Sequence, residues 1–219
     1  MKIAMFGHKR IPSREGGVEI VVEELASRMV KTGNEVTCFN RNGKGCVSQK
    51  YGKRYNFNGI EVKTVPTIDK KGMAAVTAAF FSSVMAAFGK YDIVHIHAEG
   101  PAFFSWIPKL FHKKIVVTVH GLDWQREKWK GGFGAKFIRK GEENAVKYAD
   151  EIIVLSKNVE QYFKTRYNRI TRFIPNGVNR PTIRKADRIR SVYGLEKNGY
   201  ILFLGRLVPE KGIMYLIEA

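Results

Sequence analysis

The chain has 219 residues, 44% of them apolar and 26% charged, with a mean hydropathy of −0.24. Those values exclude a disordered tail and a repetitive fibre, and the length is enough to bury a full hydrophobic core. Thirty-eight Lys and Arg stand against 20 Asp and Glu, a net charge of +18 that attracts phosphate-bearing partners, whether nucleic acid, anionic lipid or nucleotide-linked substrates.

In chain order, residues 2–7 read as a strand and 18–32 as a helix, with Val18, Val21, Val22, Leu25 and Met29 at helical spacing and Gly33 at its end. A strand over 35–39 and a polar excursion through Tyr55 precede a strand over 61–65. The nearly uncharged stretch 73–89 is barely long enough to span a bilayer, and its Ala and Ser make it weakly hydrophobic, so a helix buried against a sheet is the better reading. Next come a strand over 91–97, a helix over 101–111, a strand over 114–120 and a helix over 135–149. A strand over 151–155, a helix over 158–167 and a strand over 170–175 complete the alternation.

Strands such as Ile115-Val116-Val117-Thr118-Val119 are apolar throughout, as expected of strands buried on both faces of a parallel sheet. The fold class is therefore α/β, a doubly wound parallel sheet. Turn residues at 176–181 mark a change. Beyond them a short helix over 187–192, a strand over 200–204 and a helix cut off at Ala219 read as the opening of a second, truncated domain. The expected division is 1–179 and 180–219.

Cys38 and Cys46 are too few for a disulfide framework, and the opening apolar run is too short for a signal peptide, so a cytoplasmic setting is expected. Residues 161–193 hold nine basic residues and only Asp187 as an acid, either a solvated face or a phosphate- or membrane-facing surface.

Ligands of open parallel sheets bind beyond the carboxyl ends of the strands. After the first strand, Gly16 and Gly17 lead into a helix N-terminus, where backbone N–H groups can meet a phosphate or sugar oxygen. The G-x-G-x-x-G fingerprint is absent. His95, His97 and Glu99 follow the fourth long strand. The two histidines share a face, but no third zinc ligand lies close in sequence. After the next strand, His120-Gly121-Leu122-Asp123 can reach a sugar hydroxyl or phosphate. Trp124 and Trp129 beside Arg126, Lys128 and Lys130 form a basic-aromatic loop. Arg206 at the end of the last strand and Lys211 at the start of a helix make a cation pair suited to a diphosphate.

In this order, the Gly16-Gly17 loop, residues 92–97, Thr118-Val119-His120-Gly121-Leu122-Asp123, Ile174-Pro175-Asn176-Gly177-Val178 and residues 205–212 resemble a retaining glycosyltransferase of family 4, with the GT-B fold. The resemblance covers nearly the whole chain. It implies two Rossmann-like domains about a cleft, with the second holding most of a nucleotide-sugar donor. By resemblance, His120 contacts the transferred sugar, while Arg206 and Lys211 neutralise the diphosphate leaving group without a metal. Gly16, Gly17, His97, Glu99, Asp123 and Asn176 are the remaining expected donor- and acceptor-binding residues. The family's E-x7-E segment is absent from these residues, so this chain is expected to be inactive alone. The resemblance further implies a glycan or lipid-linked sugar acceptor, bacterial surface polysaccharide synthesis and peripheral docking on an anionic inner membrane face, for which Phe103, Phe104 and Trp106 are suited. A nucleotide-sugar 2-epimerase shares the fold but needs acidic bases, for which only Glu99 and Asp123 are placed. Nucleic-acid binding lacks any stacked-aromatic or helix-turn-helix signal.

Overall fold

The structure, a computed structural model, describes residues 1–43, 51–70, 72–125, 132–185, 187–205 and 207–219. They fall into two compact units, Met1–Asn176 and Gly177–Ala219.

The first unit is built on an eight-stranded sheet in the order β3-β4-β2-β1-β5-β6-β7-β8. The strands are β1 (Lys2–Phe6), β2 (Glu35–Arg41), β3 (Arg54–Phe57), β4 (Ile60–Val65), β5 (Ile93–His97), β6 (Lys114–Val119), β7 (Glu151–Val154) and β8 (Arg172–Phe173). All neighbouring pairs are parallel except β3 with β4. Helices α1 (Gly17–Lys31), α2 (Met73–Phe88), α3 (Glu99–Ala102), α4 (Trp106–Leu110), α5 (Phe133–Tyr148) and α6 (Lys157–Tyr167) connect them.

Strand alternation divides the core. Ile3 and Met5 of β1 join Val22 and Ala26 of α1 in one cluster, whereas Ala4 and Phe6 join Ala78 and Ala86 of α2 in another. Helices thus cover both faces of a mostly parallel sheet, the doubly wound, Rossmann-like α/β arrangement that the patterning predicts.

Four local expectations are corrected. Residues 54–57, read as part of a polar excursion, form an edge strand in a hairpin with β4. Its turn is Asn58-Gly59 at φ 51° and 83°, a dipeptide suited to the left-handed region on both residues. The helix expected over 101–111 is two short pieces, because Pro108 has no N–H for the Phe104 carbonyl, which accepts from Ile107 N at 3.0 Å instead. The strand expected over 170–175 is paired only at Arg172 and Phe173. In the second unit, helix α7 (Asp187–Tyr193), a 3₁₀ turn (Pro209–Lys211) and helix α8 (Ile213–Glu218) form, but residues 200–204 are not a strand. Apolar sequence alone does not make one: a strand needs a hydrogen-bonded neighbour.

Helix α2 has 16 residues, and no helix among the described residues is long and apolar enough to cross a membrane. Its Ala78, Ala79, Ser82, Ser83, Ala86 and Ala87 face inward. Its exposed positions include Met73, Phe80, Met85 and Phe88. The expectation of a helix packed on the sheet holds for one face only. Cys38 is a buried thiol in β2, and burial pushes its pKa far above the ordinary range; Cys46 lies outside the described residues.

Candidate functional site

The carboxyl ends of β1, β5 and β6 are adjacent in the sheet, so whatever follows each strand is brought together. After β1, Gly7 adopts φ +115°, and a Cβ there would stand 2.0 Å from the His97 carbonyl oxygen. Only glycine allows this turn against β5. His8 follows, fully buried, with Nε2 3.0 Å from Asn40 Oδ1. Asn40 also accepts from Ile11 N and donates to the Ile11 carbonyl and the Tyr55 hydroxyl. Two α1 carboxylates finish the loop: Glu19 accepts from Lys9 N at 2.9 Å and Glu23 from Ser13 N at 3.3 Å. Gly16 is the N-cap of α1, with no side-chain cap, and Gly17 is exposed. The Glu19 carboxylate also folds back over this helix end, its Oε2 only 1.9 Å from where a Cβ on Gly16 would stand.

The second component comes from β5 and β6. His95 and His97 alternate away from Val94 and Ile96, which lie in the α2-side core. Their rings stack at 4.3 Å, and His95 Nε2 meets Thr118 Oγ1 at 2.7 Å. His97 is fully buried, and its Nδ1 lies 3.1 Å from Nε2 of half-buried His120. One of these nitrogens must donate and the other accept, so the two rings hold complementary tautomers. Burial lowers the pKa of His8 and of His95 to about 4, partly offset at His8 by Asn40. Burial together with His95, His120 and His8 holds His97 well below its ordinary value. These rings are neutral at pH 7. Among the described residues no group of three His, Cys, Asp or Glu is placed to hold a metal ion.

Ala98, between β5 and α3, adopts φ +76°, a strained value for a residue with a Cβ. It delivers Glu99, fully buried, whose Oε2 accepts the Asp123 N–H at 2.8 Å. His97 and Glu99 therefore act from inside the protein, beneath His120 and Asp123. Trp124, beside Asp123, donates its indole N–H to Glu142 Oε2 at 3.0 Å and carries Arg139 over its ring at 4.2 Å. Glu142, Tyr162 and Tyr167 were not anticipated. Polar residues in the otherwise amphipathic α5 and α6 carried no signal beyond Glu142 standing next to Gly141 in a tightly packed helix. Asn176 is exposed at the end of the first unit, and Lys211 is exposed on the 3₁₀ turn of the second. Arg206, Arg126, Lys128, Trp129 and Lys130 lie outside the described residues.

The arrangement is a glycine helix end lined by Glu19, buried neutral histidines beneath the half-exposed His120, and a tethered Asp123 at the carboxyl edge of a parallel sheet. Such a site can donate to and accept from hydroxyl groups.

Comparison with known proteins agrees with that geometry. A glycosyltransferase of Methanocaldococcus jannaschii, described as uncharacterized, is 26% identical over 100% of this chain and 59% of its own length. A D-inositol 3-phosphate glycosyltransferase of Gordonia bronchialis is 25% identical over 93% of this chain and 48% of its own. The chain thus spans between about half and three fifths of these curated relatives. In fold it is similar to sucrose-phosphate synthase of Thermosynechococcus elongatus, with a TM-score of 0.78 at 20% identity, covering 99% of this chain and 58% of that one. It is also similar to Anabaena HepE in complex with UDP and glucose, with a TM-score of 0.52 at 18% identity, covering 82% of this chain and 45% of that one. These likenesses make the sheet a GT-B-type Rossmann-like domain. Residues 15–180 match Glycosyltransferase Family 4, and the chain belongs to that family.

Proposed function

We propose that the protein to which this chain contributes transfers a sugar from a nucleotide-sugar donor to a hydroxyl acceptor, with retention at the anomeric carbon. The observation that carries this reading is the His97–His120 pair at the carboxyl edge of the sheet in a family 4 chain. His120 contacts the transferred sugar, and His97 fixes its ring. Gly16 and Gly17 approach the donor phosphates and acceptor, while Asp123 and Asn176 contribute polar contacts. Arg206 and Lys211 neutralise the diphosphate as the anomeric C–O bond to it breaks. The acceptor oxygen attacks from the same face, and its proton passes to the departing phosphate. No metal is required in this scheme.

Residues 177–219 are read as the opening of the donor-binding domain. Ile201, Leu202, Leu204 and Leu207 are exposed there, as an unfinished core would leave them. The acceptor is read as a glycan or lipid-linked sugar of bacterial surface polysaccharide synthesis at the inner membrane face. Exposed Met73, Phe80, Met85 and Phe88 on α2, with Lys70 and Lys90 beyond its ends, support contact with anionic lipid.

The test is nucleoside diphosphate release from a panel of nucleotide sugars, by this chain and by the chain extended through its reading frame. Release only by the extended protein, dependent on acceptor and abolished by His120→Ala, is expected. Interconversion of the donor sugar without acceptor would instead indicate an epimerase, and no turnover of any donor would overturn the reading. Sedimentation with anionic but not neutral vesicles tests the membrane component.

A further inference from the structure

Beneath the His120–Trp124 segment, two carboxyl groups lie together where the fold admits no water-facing charge. Glu99 and Glu142 are both fully buried. They are brought together because α5 packs against α3 closely enough that a Cβ on Gly141 would stand 1.9 Å from the Glu99 carbonyl oxygen. They hold adjacent residues of one segment, Glu99 the Asp123 amide and Glu142 the Trp124 indole. Carboxylates only accept, so two of them buried under one segment are accommodated when one carries a proton.

Their surroundings say which. Glu142 accepts from the Trp124 indole on Oε2, and on Oε1 from the Tyr162 hydroxyl at 2.7 Å and the Tyr167 hydroxyl at 2.5 Å. Three donors converge on that carboxyl, which makes it the acceptor of the pair. Glu99 accepts one backbone N–H, from Asp123, and its buried Oε1 receives no donor. A proton on Glu99 supplies a fourth donor to Glu142 and removes an unpaired charge from the interior. Burial, reinforced by Glu142, pushes Glu99 in that direction.

We propose that Glu99 is the neutral acid of the pair and donates its proton to Glu142, and that this pair holds the His120–Trp124 segment in place. It does so at two points: Glu99 takes the Asp123 amide, and Glu142 takes the Trp124 indole. Tyr162 and Tyr167 tie the same carboxylate to α6, so the segment is fixed to the packed helices. Glu99 and Glu142 are positioning residues that do not touch substrate. That the segment forms part of a sugar-transfer site rests on the function proposed above; the pair itself does not.

The proposal is tested on the chain as it stands, without any donor sugar, so its failure is separable from failure of the transferase reading. Infrared spectra at neutral pH should show the carbonyl stretch of a buried protonated carboxylic acid, lost in Glu99→Gln. Glutamine mimics a protonated glutamate, donating to Glu142 and accepting from Asp123. Exchange of the Asp123 amide and Trp124 indole protons, followed by NMR, should therefore stay near wild type in Glu99→Gln. In Glu142→Gln it should accelerate by about tenfold or more, because the amide cannot accept from all three donors. Trp124→Phe removes the indole tie alone, and should keep the infrared band while accelerating Asp123 exchange. Absence of the band, its loss in Glu142→Gln but not in Glu99→Gln, or equal exchange in the two glutamine variants would each overturn the shared proton. Unchanged Asp123 exchange in Trp124→Phe would overturn the positioning role.

Discussion

His97 and His120 face each other at 3.1 Å, one ring fully buried and the other half-exposed. The inner ring is held between His95 and His120, so the outer ring inherits its orientation from the sheet. Replacing His97 by alanine removes that support, leaves a buried cavity and strips His120 of its partner. His97→Ala is expected to cost roughly 2–4 kcal/mol in urea denaturation. A change under about 0.5 kcal/mol would show that the ring contributes nothing to the packing.

The buried ionisable groups impose opposite pH slopes. His8, His95 and His97 titrate below their unfolded value of 6.5, so the folded state binds fewer protons than the unfolded chain in that window. Their contribution is complete above pH 6.5 and is lost as the pH falls below it, towards about 4 for His8 and His95. Glu99 runs the other way. Its pKa is raised by burial and by Glu142 from 4.5 to about 10, so its contribution is complete below 4.5 and is lost as the pH rises towards 10. As far as these four groups set it, stability peaks near pH 6.5 and falls more steeply on the acid side. Urea midpoints measured from pH 4 to pH 9 check both limbs; a flat profile contradicts the buried charges.

Gly7 leaves no room for a side chain. Gly7→Ala combines a positive φ with a Cβ 2.0 Å from the His97 carbonyl oxygen, a backbone atom that cannot swing away. A loss of roughly 3 kcal/mol or more is expected, with the His97 and His120 ring resonances displaced. Unperturbed histidine resonances would show that the strand ends are less tightly coupled than the contact implies.

Ala98 presents the reverse case. Its φ of +76° is unfavourable for alanine and natural for glycine. Relief of that strain exceeds the extra unfolded-chain entropy of glycine, so Ala98→Gly should stabilise the chain by about 1 kcal/mol. Thermal denaturation reads this directly, and a lower midpoint would count against the strain.

Much of this architecture was legible because its signals are local and repeated. The apolar runs of β6 and β7 could only be interior strands, and His97 and His120 stood at strand ends where parallel sheets bind ligands. The Asn58-Gly59 hairpin carried a strong turn signal that the polar residues around it obscured. Pro108 carried a break signal outweighed by the apolar run about it. Glu142 was illegible for a different reason. Its partners Trp124, Tyr162 and Tyr167 lie 18 to 25 residues away, on two separate segments, and no spacing rule connects them. Residues 200–204 show the limit of hydrophobic pattern: it states that a segment must be covered, and leaves open by what.

The two margins of the sheet bear on how the chain behaves in concentrated solution. One margin is β3, four residues long and guarded by the Arg54–Glu61 ion pair; the other is β8, with only two paired residues. Neither offers a foreign strand a long, flat row of free backbone groups to zip onto. Runaway sheet growth is therefore discouraged at both ends, and self-association of this chain, where it occurs, should leave the β content unchanged by circular dichroism.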